Sequence, residues 1–137
     1  MKIIDSLRSK VGIGRMGMIE IPNVGRDDLP QLFLDLGYKV GVEVGTSHGV
    51  YAEKIAKTGL KLYCVDPWIV YPDHYGNDKN VQAKFNTAYE EAQKRLAPYD
   101  CILVKKFSMD AVKDFADESL DFVYIDGLHV FDSVMMD

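Results

Sequence analysis

The sequence predicts an α/β fold, a Rossmann-like open parallel sheet of about four strands with helices on both faces. Two observations carry that prediction. The strand candidates read as unbroken apolar runs, the mark of strands buried on both faces, and the segments between them carry apolar residues at helical spacing. A strand, a glycine-containing turn and a helix also follow one another directly, which is the first half of a βαβ unit with its right-handed crossover.

The elements follow in chain order. Residues 1–26 form a lead-in or arm: Met18-Ile-Glu-Ile-Pro22 reads as a short strand or as an arm on the first helix, and Gly12, Gly14 and Gly17 point to a flexible segment. Residues 27–137 form the domain proper. Leu29, Leu32, Phe33 and Leu36 mark one helical face, opened by Asp27 and Asp28 and closed by Gly37. Tyr38 to Val44 is the first strand of the main sheet, and Val50 to Lys57 is a short helix stopped by Gly59. Lys61 to Asp66 is the next strand. Pro67 to Asn80 is an irregular stretch rich in Pro, Gly, Asp, Asn and aromatic residues, long for a compact domain and therefore a candidate functional loop. Val81, Phe85, Ala88, Ala92 and Leu96 lie on one face of a helix of about four turns ended by Pro98. Cys101 to Val104 is a strand, Met109 to Phe115 a short helix, Asp121 to Asp126 a further strand, and Val130 starts another helix.

Composition narrows the function. The 137 residues are 47% hydrophobic, 27% charged and 11% aromatic, a globular balance with one core. Sixteen Lys+Arg against 21 Asp+Glu give a net charge of −5, and no basic cluster is longer than Lys105-Lys106. Nucleic acid and anionic membrane are poor partners for such a chain. No apolar run approaches the ~18 residues of a membrane span, and charge breaks the N-terminus too early for a signal peptide, so a cytoplasmic location is expected. Cys64 and Cys101 sit inside apolar runs without zinc-spaced partners, the setting of ordinary buried thiols.

In an open parallel sheet, ligands bind beyond the carboxyl ends of the strands. There the sequence places Glu43-Val-Gly45-Thr46-Ser47-His48-Gly49, a run of small residues where backbone can approach a ligand. Asp66 follows Gly45 by about 20 residues, the spacing of a carboxylate that accepts both hydroxyls of a ribose. Ser47 replaces the middle glycine of the dinucleotide signature, which favours a ligand with a ribose and no pyrophosphate. A nicotinamide-binding domain is accordingly the weaker reading. Glycines after a strand are also common as plain turn residues, and an aspartate closing a strand often caps the next helix.

These residues resemble the class I S-adenosylmethionine-dependent methyltransferases, in particular their small O-methyltransferase-like branch. The resemblance runs from Gly37 to Asp137 over four motifs: Val42-Glu-Val-Gly-Thr-Ser-His-Gly49, Leu62-Tyr-Cys-Val-Asp-Pro-Trp68, Lys106-Phe-Ser-Met-Asp110 and Asp121-Phe-Val-Tyr-Ile-Asp-Gly-Leu-His129. It implies S-adenosylmethionine as cofactor and S-adenosylhomocysteine as product. Glu43, Gly45, Thr46, Ser47 and Gly49 would line the methionine and ribose, with Asp66 on the ribose hydroxyls. Pro67 and Trp68 would flank the adenine, Trp68 either covering it or serving as core, and Ser108 and Met109 would meet the adenine edge. Asp126 would face the transferring methyl, and His129 is the candidate general base, or a residue that caps and packs the last helix. His48 and His74 would face solvent or the pocket rim, and Tyr71, His74 and Tyr75 form a lid or pin their own loop. Asp126 with Asp137 or His129 is too thin a set for a divalent metal.

The chemistry so implied is in-line displacement, an acceptor oxygen or nitrogen attacking the sulfonium methyl. Proximity and alignment then matter most, and no protein nucleophile is needed. A small-molecule hydroxyl is the expected acceptor. Relatives continue past this point with another helix, a fifth parallel strand and an antiparallel pair, so the chain reads as C-terminally truncated. Its last strand, Phe122 to Ile125, is expected at the sheet edge, covered by a homo-oligomer partner or by a longer parent chain. A module that holds the cofactor without turnover is the alternative to an enzyme.

Overall fold

The computed structural model describes residues 12–13, 19–20, 25–70 and 79–128. The chain divides into two compact units, Met1–Tyr38 and Lys39–Asp137.

In the first unit, β1 (Gly12–Ile13) pairs antiparallel with β2 (Ile19–Glu20), Gly12 opposite Glu20 and Ile13 opposite Ile19. The strand expected within Met18 to Pro22 is present at Ile19–Glu20, and Gly12 stands in extended pairing instead of a flexible segment. A 3-10 turn at Arg26–Asp28 leads into α1 (Leu29–Asp35), with Pro30 in the first turn, where its missing N–H costs no helical bond. The Asp28 carboxylate reaches back to the Gly25 N–H at 2.7 Å. Gly37 closes α1 as expected: its N–H bonds Leu34 O, the Tyr38 N–H bonds Phe33 O, and the Phe33 and Tyr38 rings stack at 6.1 Å across the two bonds.

The second unit holds the predicted parallel sheet. Its strands are β3 (Val40–Val44), β4 (Lys61–Val65), β5 (Cys101–Val104) and β6 (Phe122–Ile125), in the order β5-β4-β3-β6. Every pairing is parallel, with Gly41 opposite Leu62 and Phe122, and Leu62 opposite Cys101. The helices are α2 (Val50–Ala56), α3 (Lys79–Leu96) and α4 (Ser108–Ala111), the last followed by a 3-10 turn at Val112–Asp114. α3 begins two residues before Val81, about half a turn ahead of its apolar face.

Side-chain alternation divides the core between the two faces of the sheet. On one face, Val42 and Val65 pack with Ala111, Phe115 and Leu120, and the rings of Tyr63 and Phe115 meet edge to face at 5.0 Å. On the other, Trp68, Ala88 and Ala92 pack with Phe85, Tyr89 and Leu103. Gly41 is required for close approach: a Cβ there would overlap the Phe122 ring. Asp121 fixes the start of β6, its Oδ2 accepting the N–H groups of Lys39 at 2.7 Å and Val40 at 2.9 Å.

β6 is the edge strand, as the sequence predicts. Val123 and Ile125, on one face of it, are 54% and 47% exposed. Cys64 is buried and Cys101 half-buried, both free. Its hydrogen bond to Cys101 and its burial push the Cys64 thiol up, so Cys64 stays protonated. No helix among the described residues is long and apolar enough to cross a membrane.

Candidate functional site

Because all four strands of the sheet are parallel, the loops after β3, β4, β5 and β6 lie on one edge. They carry the residues singled out from the sequence. After β3 the backbone turns sharply through Gly45 and Gly49, both left-handed at φ +91° and +73°. A Cβ on Gly45 would come within 2.6 Å of Gly127 Cα and overlap the Asp126 carbonyl, so this position admits only glycine while β6 lies alongside. Glu43 is 1% exposed, and Thr46 and Gly49 are also buried, while Ser47 and His48 are exposed at the rim.

The turn is tied to the loop after β4. Asp66 Oδ2 accepts the Ser47 N–H at 2.9 Å and Asp66 Oδ1 the Trp68 N–H at 2.7 Å. Ser47 Oγ lies 3.0 Å from His48 Nδ1, and the His48 carbonyl accepts Arg95 Nε at 3.0 Å. Burial pushes the Asp66 carboxyl above the ordinary aspartate value of 3.8, against the two backbone N–H groups and the nearby His48, which pull it down. Pro67 is half-buried between Asp66 and Trp68.

Trp68 is 0% exposed. Its ring packs on Ala88 and Ala92, its centroid is 4.8 Å from that of Tyr89, and its Nε1 donates to the Ser47 carbonyl at 2.9 Å. Of the two roles open to it in the sequence, the structure puts Trp68 in the core, with no free ring face.

After β5, Phe107 precedes α4 in extended conformation, with Ser108 half-buried and Met109 exposed at its start. After β6, the Asp126 N–H bonds the Val44 carbonyl at 2.8 Å, which sets Asp126 beside the Gly45 turn. The edge thus brings together Glu43, Gly45, Thr46, Ser47, Gly49, Asp66 and Asp126, with Ser108 and Met109 at the β5 end. His129, Asp137, Tyr71, His74 and Tyr75 lie outside the described residues. No group of three or more His, Cys, Asp or Glu among the described residues could hold a metal ion.

A family model described as a methyltransferase domain matches residues 39–137, the whole second unit. The chain belongs to the methyltransferase-domain family. Among solved structures, a putative caffeoyl-CoA O-methyltransferase from Staphylococcus aureus is similar at a TM-score of 0.52 and 16% identity, over 74% of this chain and 45% of that one. At that identity the likeness is one of fold, and the chain spans less than half the length of that structure. No curated protein matches the sequence.

The residues of this methyltransferase domain fit the nucleoside part of the family's cofactor. A carboxylate offers about four acceptor sites, and the two backbone bonds to Asp66 leave two for a pair of hydroxyls. Its partial burial strengthens any bond it accepts. Thr46 Oγ1 is buried at the same turn without an oxygen or nitrogen partner among the described residues, its side chain bonding the Cys64 thiol.

Two residues of the site carry no signal in the sequence. Gln82 in the first turns of α3 accepts the Val70 N–H at 3.0 Å and donates to the Trp68 carbonyl at 3.1 Å. Arg95, near the other end of α3, bonds the β3 turn and pairs with Glu53 of α2 at 3.6 Å. Both read as solvated helix residues until the loops that face α3 are known.

Proposed function

We propose that this methyltransferase domain binds S-adenosylmethionine across the loops after β3, β4 and β5 and serves methyl transfer to a hydroxyl oxygen of a small molecule. The observation that carries the reading is the direct bond between the Gly45–Gly49 turn and Asp66: one carboxylate, still able to accept, sits against a turn of small, left-handed residues at the carboxyl edge of the sheet. When bound, the cofactor supplies a methyl group on a positively charged sulfur, already activated for transfer. Asp66 then accepts from the ribose hydroxyls, and the small residues of the turn let the backbone lie close to the amino-acid moiety. Ser108 and Met109 border the adenine. Asp126, beside the turn, orients the acceptor, and His129 takes its proton.

Calorimetry on the purified chain tests this. S-adenosylhomocysteine is expected to bind, NAD not to bind, and Asp66→Ala to abolish binding. Failure of S-adenosylhomocysteine to bind, or its unchanged affinity for the Asp66→Ala protein, overturns the assignment. Methyl transfer to hydroxylated acceptors then distinguishes turnover from cofactor binding alone.

A further inference from the structure

Ser47 and Trp68 face each other across the two loops, and both are left-handed, at φ +49° and +46°. A residue with a Cβ pays free energy for that backbone and keeps it only where its surroundings enforce it. At Ser47 each polar main-chain group is held by a different residue: the N–H by Asp66 Oδ2, the carbonyl by Trp68 Nε1, both at 2.9 Å. Asp66 alone would leave the Ser47–His48 peptide free to rotate. The indole removes that freedom, and because the peptide is planar and trans it also sets the direction of the His48 N–H.

The indole is itself immobile. Its ring is fully buried against Tyr89, Ala88 and Ala92, and Gln82 of α3 holds the Trp68 carbonyl at 3.1 Å. A chain of contacts therefore runs from α3 through Trp68 to the turn. We propose that Trp68 is a positioning residue, whose indole N–H on the Ser47 carbonyl keeps the 45–49 turn in the conformation that receives the nucleoside ligand. The inference rests on the cofactor reading of that turn. It assigns the tryptophan a role through main chain instead of through a stacked ring.

Trp68→Phe keeps an aromatic ring in the core and removes the N–H, at the cost of a cavity that lowers stability by itself. Calorimetric affinity for S-adenosylhomocysteine is expected to fall about five- to tenfold, the scale of one lost hydrogen bond. Glycine adopts the left-handed state without help, so in a Ser47→Gly background the same Trp68→Phe change should cost less than about twofold. A purely structural tryptophan would lower the melting temperature, leave affinity unchanged and show no such dependence on residue 47. Unchanged affinity in Trp68→Phe, or an equal loss in both backgrounds, overturns the proposal. Gln82→Leu, which releases the Trp68 carbonyl without opening the core, serves if Trp68→Phe does not fold: weaker binding supports the relay and unchanged binding overturns it. Amide exchange in the ligand-free protein separates this proposal from the cofactor assignment. Ser47 N–H exchange should accelerate about tenfold in Trp68→Phe while core amides such as Val42 hold. If the wild-type protein binds no S-adenosylhomocysteine, the cofactor assignment falls and the exchange rates still decide whether Trp68 holds the turn.

Discussion

Replacing Gly45 with alanine is the sharpest test of how the β3 turn is built. Two costs add at this position. The backbone sits at φ +91°, where a side chain is strained by about 1–3 kcal/mol. The new Cβ would also lie 2.5 Å from the Asp126 carbonyl carbon and 2.6 Å from Gly127 Cα, main-chain atoms that cannot rotate away. Overpacking of that kind costs about 1–3 kcal/mol more, so the expected loss is about 2–6 kcal/mol. Gly49 provides the control. It too is left-handed, at φ +73°, but its added Cβ would meet Leu96 Cδ1 at 3.1 Å and Ala92 Cα at 3.4 Å, tight contacts and not overlaps. The Gly49→Ala loss should then lie below the Gly45→Ala loss, near the same strain of about 1–3 kcal/mol without the main-chain overlap. Urea unfolding of both variants reads the difference directly. In thermal unfolding it appears at about 4–8 °C per kcal/mol for a domain near 100 residues. A Gly45→Ala protein no less stable than Gly49→Ala would refute the close approach of β6 to the turn.

Three further outcomes follow from single contacts. Asp66 holds its proton more tightly in the folded protein, so it lowers stability as pH rises from 3.8 through its folded value; S-adenosylhomocysteine binding, which needs the ionised carboxylate, should fall on acidification with a midpoint above 3.8, and calorimetry showing a midpoint at or below it would contradict the burial of this group. Asp121 is shifted the other way, its carboxyl held below 3.8 by the Lys39 and Val40 N–H groups, so its stabilisation is present above 3.8 and lost as pH falls through the lower folded value. Asp121→Ala should therefore unfold at lower urea than wild type near neutrality, with the gap closing in acid; a pH-independent gap would refute the charge-assisted cap. Association across the β6 edge, expected from its exposed Val123 and Ile125, should be abolished by Val123→Lys in light scattering, and a wild-type chain already monomeric would end that expectation.

The sheet was legible because its parallel strands are near-continuous apolar runs, although Ile102, Val123 and Ile125 on one face of the two outer strands are exposed among the described residues. Cys101-Ile-Leu-Val104 and Phe122-Val-Tyr-Ile125 are strands over the spans that their apolar runs mark, or one residue inside them. Helix ends were less legible where solvation erases the pattern. Lys79 and Asn80 carry no apolar signal, so α3 starts before its face does, and the expected helix from Met109 to Phe115 divides into α4 and a 3-10 turn with only Ala111 buried to anchor it. Gly12 read as a flexible residue because composition says nothing of a pairing partner eight residues on.

The site was legible in its residue types and not in its backbone. Gly45, Gly49 and Asp66 announce themselves, since a left-handed turn calls for glycine and a strand-end carboxylate for a donor. Ser47 and Trp68 break the same local rule: neither is the residue a left-handed position favours. Their conformations are set by bonds between residues about 20 positions apart, Ser47 N–H to Asp66 and Trp68 Nε1 to Ser47 O, which no window of sequence contains. Trp68 beside Asp66 therefore looks like a ring placed for a base, whereas the fold turns the ring inward and uses only its N–H. A local conflict resolved by long-range contacts costs stability, and proteins retain such conflicts mainly where a fixed geometry is needed. That two of them meet on one carboxylate, at the carboxyl edge of the sheet, is the physical reason why the proposed nucleoside site centres on Asp66.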